Sequence, residues 1–122
     1  MSLIVLATAA ALALGELPPQ AFPQGSGCAI FLWTRTEPPR RVAMLSEQRQ
    51  TLKIRIANSD RELPRLPDPG QYGDGQFTAA LDIELEREPS FSNGAMVSGV
   101  MRFEQAAGEE MALAVAGIRA CR

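Results

Sequence analysis

The chain has 122 residues, of which 46% are hydrophobic, with 12 basic and 14 acidic side chains, a formal net charge of −2 and no histidine. This balance gives no overall basis for binding nucleic acid or an anionic membrane surface. The absence of histidine excludes Ser-His-Asp and Cys-His catalytic pairs and removes the most common general base.

The first predicted element is an apolar segment at residues 3–15, which contains one polar side chain and is followed by the first charge at Glu16. This segment is shorter than the roughly 20 residues of a membrane-spanning helix and matches the apolar region of a secretory signal peptide. Ala13 and Gly15 are small, as cleavage requires, so residues 1–15 are predicted to be a signal peptide. Because no lysine or arginine precedes the run, an uncleaved membrane anchor and a buried hydrophobic helix remain alternatives.

The next predicted element is a tether at residues 16–27, because this stretch is rich in proline and glycine. Residues 28–122 follow as one domain, since the length suits a single hydrophobic core. The two cysteines, Cys28 and Cys121, stand at the start and near the end of this domain. An exported chain meets an oxidising compartment, where two cysteines normally pair. The sequence therefore predicts a disulfide between them and a periplasmic or secreted location, or a membrane-anchored one that faces the periplasm.

Within the domain, several segments have the composition and alternation of β-strands. Six strands are predicted, at residues 28–34, 41–45, 51–57, 77–88, 94–104 and 111–121. Short turns join most of them, among them a tight turn at Asn93-Gly94, and no β-α-β alternation occurs. The last segment also contains good helix formers, but Gly117 interrupts them and strand is favoured.

These elements predict an all-β fold, a single small antiparallel barrel or sandwich of about six strands, preceded by the hydrophobic N-terminal segment. A disulfide between the first and last strands fits a closed or nearly closed sheet. Phe31 and Trp33 share one face of the first strand and are predicted to be core, with a ligand-cavity role for Trp33 as the less favoured alternative. Gly99 and Gly117 are predicted to mark bulges or bends.

The charges divide along the chain. Residues 35–65 carry eight basic and four acidic side chains, and residues 66–122 carry four basic and nine acidic ones. We expect cross-strand ion pairs to neutralise this division internally. The expected basic partners are Lys53 and Arg55, and the expected acidic partners are Asp82, Glu84 and Glu86.

Residues 58–76 lack periodicity, and connections of this length in small domains are commonly functional or disordered. The segment contains Tyr72, which is predicted either to anchor a contact as an exposed aromatic or to pack back on the sheet. The candidate contact residues are Tyr72, Asp68 and Asp74 in this segment, and Arg35, Arg40 and Arg41 near the first predicted turn. The acidic residues have no calcium-loop spacing, and two cysteines without histidine make a poor zinc site, so no metal is predicted.

No Gly-rich phosphate turn is present and no paired carboxylates suited to acid–base work stand out, so no catalytic residue and no cofactor are predicted. The sequence predicts an exported, non-catalytic binding module of the bacterial envelope, with an unidentified protein or small molecule as its partner. Membrane contact is expected only if the N-terminal segment is retained, which defines the alternative of a membrane-anchored accessory subunit. An envelope enzyme is the third and least favoured reading.

Overall fold

A computed structural model describes residues 14–22, 27–86, 94–106 and 108–121, and within these ranges the chain forms β-strands and no helix. None of the described residues therefore forms a helix that is long and apolar enough to cross a membrane. The strands are β1 (Leu14–Gly15), β2 (Cys28–Thr34), β3 (Arg41–Ser46), β4 (Thr51–Ile56), β5 (Ser59–Pro64), β6 (Gln71–Gly73), β7 (Phe77–Leu85), β8 (Gly94–Gln105) and β9 (Glu110–Cys121). The all-β prediction is confirmed.

The strands form one curled antiparallel sheet in the order β1-β4-β3-β2-β9-β8-β7-β6. β1 and β3 pair with different residues of β4, and β5 pairs with the opposite side of β4 along its whole length. This arrangement is a half-barrel. A single bridge between Arg65 and Tyr72, supported by the hydrogen bond from Leu66 N to Gln71 O at 2.8 Å, links the end of β5 to β6. β6 pairs with β7 only as far as Ala80, and on the side of β7 away from β8 no described strand lies beside the remainder of β7.

Six of the strands match the predicted segments, but the prediction of about six strands is wrong because the described residues form nine. The three missed strands are β1, β5 and β6. β5 consists mainly of polar residues and alternates poorly, and β6 has three residues, so neither shows an apolar periodicity. Residues 58–76 are therefore largely sheet and tight turn rather than a long loop. The predicted turn at Asn93 lies outside the described residues.

The pairing of β2 with β9 joins the two halves of the sheet. Its register runs without interruption from Cys28 opposite Cys121 to Thr34 opposite Val115. Cys28 and Cys121 form a disulfide across a sequence separation of 93 residues, as predicted. The disulfide therefore fastens the strand pair on which the continuity of the sheet depends.

Alternate side chains of the strands point into the curl of the sheet and form one apolar cluster. Phe77 and Phe103 stack within it, with ring centroids 5.6 Å apart. The completely buried members of the cluster include Leu32, Leu52, Ile54, Leu63, Ala79, Met101 and Val115. The predicted alternation in β4 is thus confirmed, with the leucine and isoleucines inward and the basic residues outward.

Gly99 and Gly117 do not mark bulges, because the register of both strands is continuous at these positions. Each glycine instead permits a close approach of neighbouring backbones. A Cβ atom at Gly117 would overlap the carbonyl oxygen of Phe31, and one at Gly99 would overlap the carbonyl oxygen of Asp82. Both glycines are therefore required by the tight packing of adjacent strands.

The predicted tether is docked on the sheet in its described part, residues 16–22. Leu17 is completely buried, and its N–H donates to the carbonyl oxygen of Arg41 at 2.8 Å. Phe22 contacts the ring of Phe31 at 6.1 Å, and Gln20 accepts a hydrogen bond from Lys53. These residues have no secondary structure, as an extended tether would, but they bury apolar surface and are held on the sheet by these contacts.

The N-terminal boundary also differs from the prediction. Leu14 pairs with Ile56 and Gly15 pairs with Arg55, so the last two residues of the predicted signal peptide belong to the sheet. The remainder of that predicted segment, residues 1–13, lies outside the described residues, as do residues 23–26 of the predicted tether.

The basic side chains of β4 do not pair with β7, because β3, β2, β9 and β8 lie between those strands. Arg55 Nη1 instead lies 2.8 Å from Asp60 Oδ1 on β5, the next strand along the chain. Lys53 lies opposite Glu62 in the same hairpin. Asp82 and Glu84 are exposed on β7 and have no ion pair among the described residues. The expected pairing between β4 and β7 is therefore wrong: Arg55 pairs within its own hairpin, Lys53 donates to Gln20, and Asp82 and Glu84 have no ion pair among the described residues.

Replacement of Cys28 and Cys121 by serine should lower the free energy of unfolding by about 4–5 kcal/mol, because the crosslink restricts an unfolded loop of more than 90 residues. The measurement is urea unfolding of the wild type and of the C28S/C121S variant, each with and without reductant. The variant provides the control, since its stability should not respond to reductant. Equal stabilities for the oxidised wild type and the variant would contradict the expected contribution.

Candidate interaction site

Tyr72 lies on strand β6 rather than on an exposed loop. Its side chain is half-buried and packs against the apolar cluster. It lines a polar hollow of about 230 Å³ with Glu47, Gln50, Arg65 and other residues near the end of β3. The prediction of an exposed contact aromatic is therefore wrong, and the alternative in which the tyrosine packs on the sheet is correct.

The charged groups around this hollow interact mainly with other groups of the protein. Burial raises the pKa of the Tyr72 phenol, Arg65 opposes this effect, and Glu47 adds to it, so the hydroxyl is protonated at neutral pH. Glu47 accepts two hydrogen bonds from Arg119, at 2.6 and 2.9 Å, and this bidentate contact raises the pKa of the arginine. The polar groups of the hollow thus hold strand ends together.

Asp74 also has a structural role. Its Oδ1 accepts hydrogen bonds from the backbone N–H groups of Gln76 and Phe77, at 3.0 and 2.9 Å. Arg61 lies 3.5 Å from its other carboxylate oxygen and covers the ring of Phe77. Burial alone would raise the pKa of Asp74, but these hydrogen bonds and Arg61 outweigh it and lower the pKa. Asp68, in contrast, is exposed, and only its backbone carbonyl makes a hydrogen bond, to Gln71.

The turn between β2 and β3, residues 35–40, is exposed and internally ordered. Thr34 organises it, because its hydroxyl contacts the Thr36 hydroxyl at 2.7 Å and accepts a hydrogen bond from the Arg40 N–H at 3.0 Å. The side chains of Arg35 and Arg40 project from this turn without a hydrogen bond or ion pair to described residues. The turn therefore presents two free cationic groups on a fixed backbone.

Arg41 differs from these two residues because it belongs to the packed structure. Its guanidinium lies 5.7 Å from the centre of the Trp33 ring and donates to the carbonyl oxygen of Leu17 at 3.1 Å. These contacts fix the position of Trp33 from one side. The three predicted arginines are therefore neighbours along one end of the sheet, but only Arg35 and Arg40 are exposed.

Trp33 is half-buried on the outer face of the sheet, so its assignment to the core is wrong. It lies opposite Ala116 of β9 and lines an open, predominantly apolar hollow of about 500 Å³. The other side chains that define this hollow, which we call the Trp33 hollow, are Arg35, Thr36, Pro39, Met96, Ala116 and Ile118. Arg35 is its single charged lining residue.

The Trp33 hollow exists because β9 has small and apolar side chains on both faces. Val115 points into the core, whereas Ala116 and Ile118 point outward with Met96 of β8, which is 37% exposed. Small residues on the strand that separates Trp33 from Met96 leave a depression between the two larger side chains. Described residues 16–22 cover Phe31, the neighbour of Trp33, but do not line the hollow itself.

The hollow could have been found from the sequence of β9. Residues 112, 114, 116, 118 and 120 are all alanine or isoleucine, so the outward face of this strand has no polar residue. An antiparallel strand with one solvated face normally shows polar residues at these positions. This pattern, together with the aromatic residues of β2, is the signal that both faces of the sheet are apolar at this place.

No group of three or more Cys, Asp and Glu side chains in the described ranges is arranged to hold a metal ion. Comparison of the chain with protein-family models, curated proteins and solved structures finds no match.

Replacement of Asp74 by asparagine should destabilise the protein at neutral pH by up to about 1 kcal/mol, because the amide keeps an acceptor but loses the charge. The folded-state pKa lies below its ordinary value of 3.8, so this contribution is fully present above that value and is lost as the pH falls through the folded pKa. Wild type and variant should therefore converge in stability as the pH falls below 3.8 and through the folded-state pKa.

Urea unfolding between pH 7 and pH 2.5 measures this convergence. Asp68→Asn is the matched control, since the Asp68 side chain is exposed and makes no hydrogen bond or ion pair with the described residues. A pH-independent difference for the Asp74 variant would show that charge does not stabilise this turn.

Proposed function

We propose that this protein is a non-catalytic interaction module of an oxidising extracytoplasmic compartment, and that it binds a partner protein at the Trp33 hollow. The observation that carries the proposal is the open apolar hollow of about 500 Å³ between Trp33, Met96 and Ile118. Exposed apolar patches on a small domain are characteristic of interaction sites. Tryptophan, methionine and arginine are also the residue types that protein interfaces favour.

The charges define what the partner presents. Arg35 stands in the lining of the hollow, and Arg40 lies on the same exposed turn. Glu37 is the acidic residue of that turn, so residues 35–40 carry one net positive charge. A partner that inserts an apolar side chain and places a carboxylate beside Arg35 would complement the hollow. The aromatic ring and the alanine floor are held by the sheet, so binding requires little reordering of the module.

The disulfide supports the proposed location. A Cys28–Cys121 pair is compatible with an oxidising extracytoplasmic compartment, where such bonds form and persist. This also agrees with the secretory character of residues 3–15. In this proposal the module is a barrel-like scaffold that binds its partner on the outer surface. It is neither a sandwich nor a barrel that holds a ligand in an internal cavity.

Site-specific photocrosslinking in the native cells tests the proposal. A photoreactive amino acid at Ala116, on the floor of the hollow, should give one discrete adduct with a partner protein. The matched control is the same substitution at Ala112, which is exposed on the same face of β9 but lies outside the hollow. Adducts at neither position, or the same adducts at both, would contradict the proposed site.

Charge reversal in the same background tests the role of Arg35. Arg35→Glu should lower the yield of the Ala116 adduct about fivefold or more, because it replaces attraction to a carboxylate by repulsion. Arg102→Glu is the charge-matched control, since Arg102 is exposed on the same outer face and does not line the hollow. An equal loss from both changes would indicate a general charge effect.

A second candidate function is a membrane-anchored accessory subunit. It is favoured by the pairing of Leu14 and Gly15 with β4 and by the complete burial of Leu17. Cleavage before Glu16 would remove β1 and expose Ile56, to which Leu14 is paired. Retention of β1 would also retain the apolar segment that precedes it, which would then hold the module at a membrane.

Intact mass spectrometry of the protein from its own cells, under non-reducing conditions, distinguishes the two candidates. The exported module predicts a mass that begins at Glu16 and a protein in the soluble envelope fraction. The anchored subunit predicts a mass that includes β1 and a protein in the membrane fraction. In both cases the mass should be two hydrogens lower than that of the reduced chain, and a reduced soluble protein of full length would contradict both.

A further inference from the structure

We infer that the open edge of β7 is a second binding site, distinct from the Trp33 hollow, which takes an extended segment of a partner protein as an added antiparallel or parallel strand. The segment would carry basic residues at alternate positions and apolar residues between them. The edge in question is the part of β7 beyond Ala80, where β6 no longer accompanies it.

The hydrogen-bond pattern identifies which backbone groups are free. Glu86 N donates to Met96 O at 2.9 Å, and Leu81 N donates to Gly70 O at 2.8 Å. In an antiparallel ladder, successive residues alternate between the two sides of the strand. The backbone N–H and C=O groups of even-numbered residues of β7 therefore point toward β8. Those of Ile83 and Leu85 point toward the open side, where no described residue pairs with them.

The side chains on this edge are also arranged for a strand partner. Ile83 packs against the apolar cluster, and Leu85 is 50% exposed on the same inward side. A strand added here would cover Leu85 with its own inward-facing residues. It would continue the sheet across the opening of the half-barrel, so apolar burial would accompany the backbone hydrogen bonds.

The outward side chains define the charge of the partner. Asp82 and Glu84 are exposed on the outer face, directly opposite Val100 and Ser98 of β8, and neither forms an ion pair with the described residues. A neighbouring strand with lysine or arginine at its outward positions would pair with them. A second copy of this chain does not fit, because two β7 edges would bring Asp82 and Glu84 of each copy together. Charged residues on an edge also discourage indiscriminate pairing, so the site favours basic strands over others.

The test uses the full-length protein and a synthetic ten-residue peptide that alternates lysine and valine. Amide hydrogen exchange, followed by NMR, should show fast exchange at Ile83 and Leu85 in the free protein and at least tenfold slower exchange with saturating peptide. A peptide of the same sequence with an N-methyl group on every residue is the control, because it keeps the side chains and the charge but has no N–H group on either edge with which to pair as a strand. It should give no protection.

Two variants assign the effect to the edge. Asp82→Lys/Glu84→Lys should weaken binding of the lysine–valine peptide at least tenfold and create binding of a glutamate–valine peptide. Ile83→Pro should abolish binding and leave the fold intact, because the N–H that it removes is not bonded to β8. Thermal unfolding, together with the NMR signals of residues in β8 and β9, shows whether each variant keeps the sheet.

Several outcomes would overturn the inference. Slow exchange of Ile83 and Leu85 in the free protein would show that the edge is already covered, and protection that rises with protein concentration would indicate self-association. No protection at millimolar peptide, or equal protection by the N-methylated peptide, would exclude strand addition. Because none of these measurements involves Arg35 or Ala116, failure here leaves the proposed role of the Trp33 hollow unaffected.

Discussion

The pairing of β2 with β9 is the constraint on which the rest of the structure depends. The sheet order places β1, β3, β4 and β5 on one side of this pair and β6, β7 and β8 on the other. Without it, two smaller sheets would each expose the face that now forms the common apolar cluster. The pairing brings together strands from opposite ends of the domain, which carries a large entropic cost of loop closure. The disulfide at the end of this pair reduces that cost by restricting the unfolded chain.

The same strand pair creates the Trp33 hollow. Gly117 allows β9 to lie directly against the backbone of Phe31, and this close approach requires a residue without a side chain. Its neighbour Ala116 keeps the outer surface low beside Trp33. A feature required for folding thus produces a depression on the outer face. Two adjacent residues of β9 thus have linked effects. Gly117 lets β2 and β9 pair tightly, and Ala116 leaves Trp33, Met96 and Ile118 uncovered.

Sequence patterns predicted the strands whose stability depends on burial, and failed for those that depend on pairing. β4 and the first part of β7 alternate cleanly, so their inward faces could be assigned from the sequence alone. β5 has four charged or polar residues at its start and forms because β4 provides a partner for its backbone. β6 forms in the same way beside β7. Local periodicity contains no information on such strands, because the stabilising contacts come from residues distant in sequence.

The candidate sites show the same limit. Tyr72 lies among prolines and glycines, which predict a loop, yet these residues form tight turns that pack the tyrosine against the apolar cluster. The strand that contains Trp33 is apolar on both faces, a pattern that in most sheets indicates burial on both sides and so predicts Trp33 to be core. Here the covering layer is partial, since described residues 16–22 reach Phe31 but do not line the hollow beside Trp33. Which part of an apolar face is covered depends on where a non-periodic segment docks, and composition does not specify that.

The half-barrel leaves its charges in an asymmetric arrangement that a closed barrel would not have. Arg55 pairs with Asp60 inside the β4–β5 hairpin, whereas Arg35 and Arg40 of the β2–β3 turn form no ion pair with the described residues. Asp82 and Glu84 lie on the outer face of β7, at the open edge of the sheet, and β9 and β8 separate this strand from β2. A closed sheet would place another strand beside these carboxylates and would satisfy the backbone of Ile83. The incomplete curl therefore separates a basic turn from an acidic edge. This separation is the physical basis of the proposal that one small domain contacts two chemically different segments.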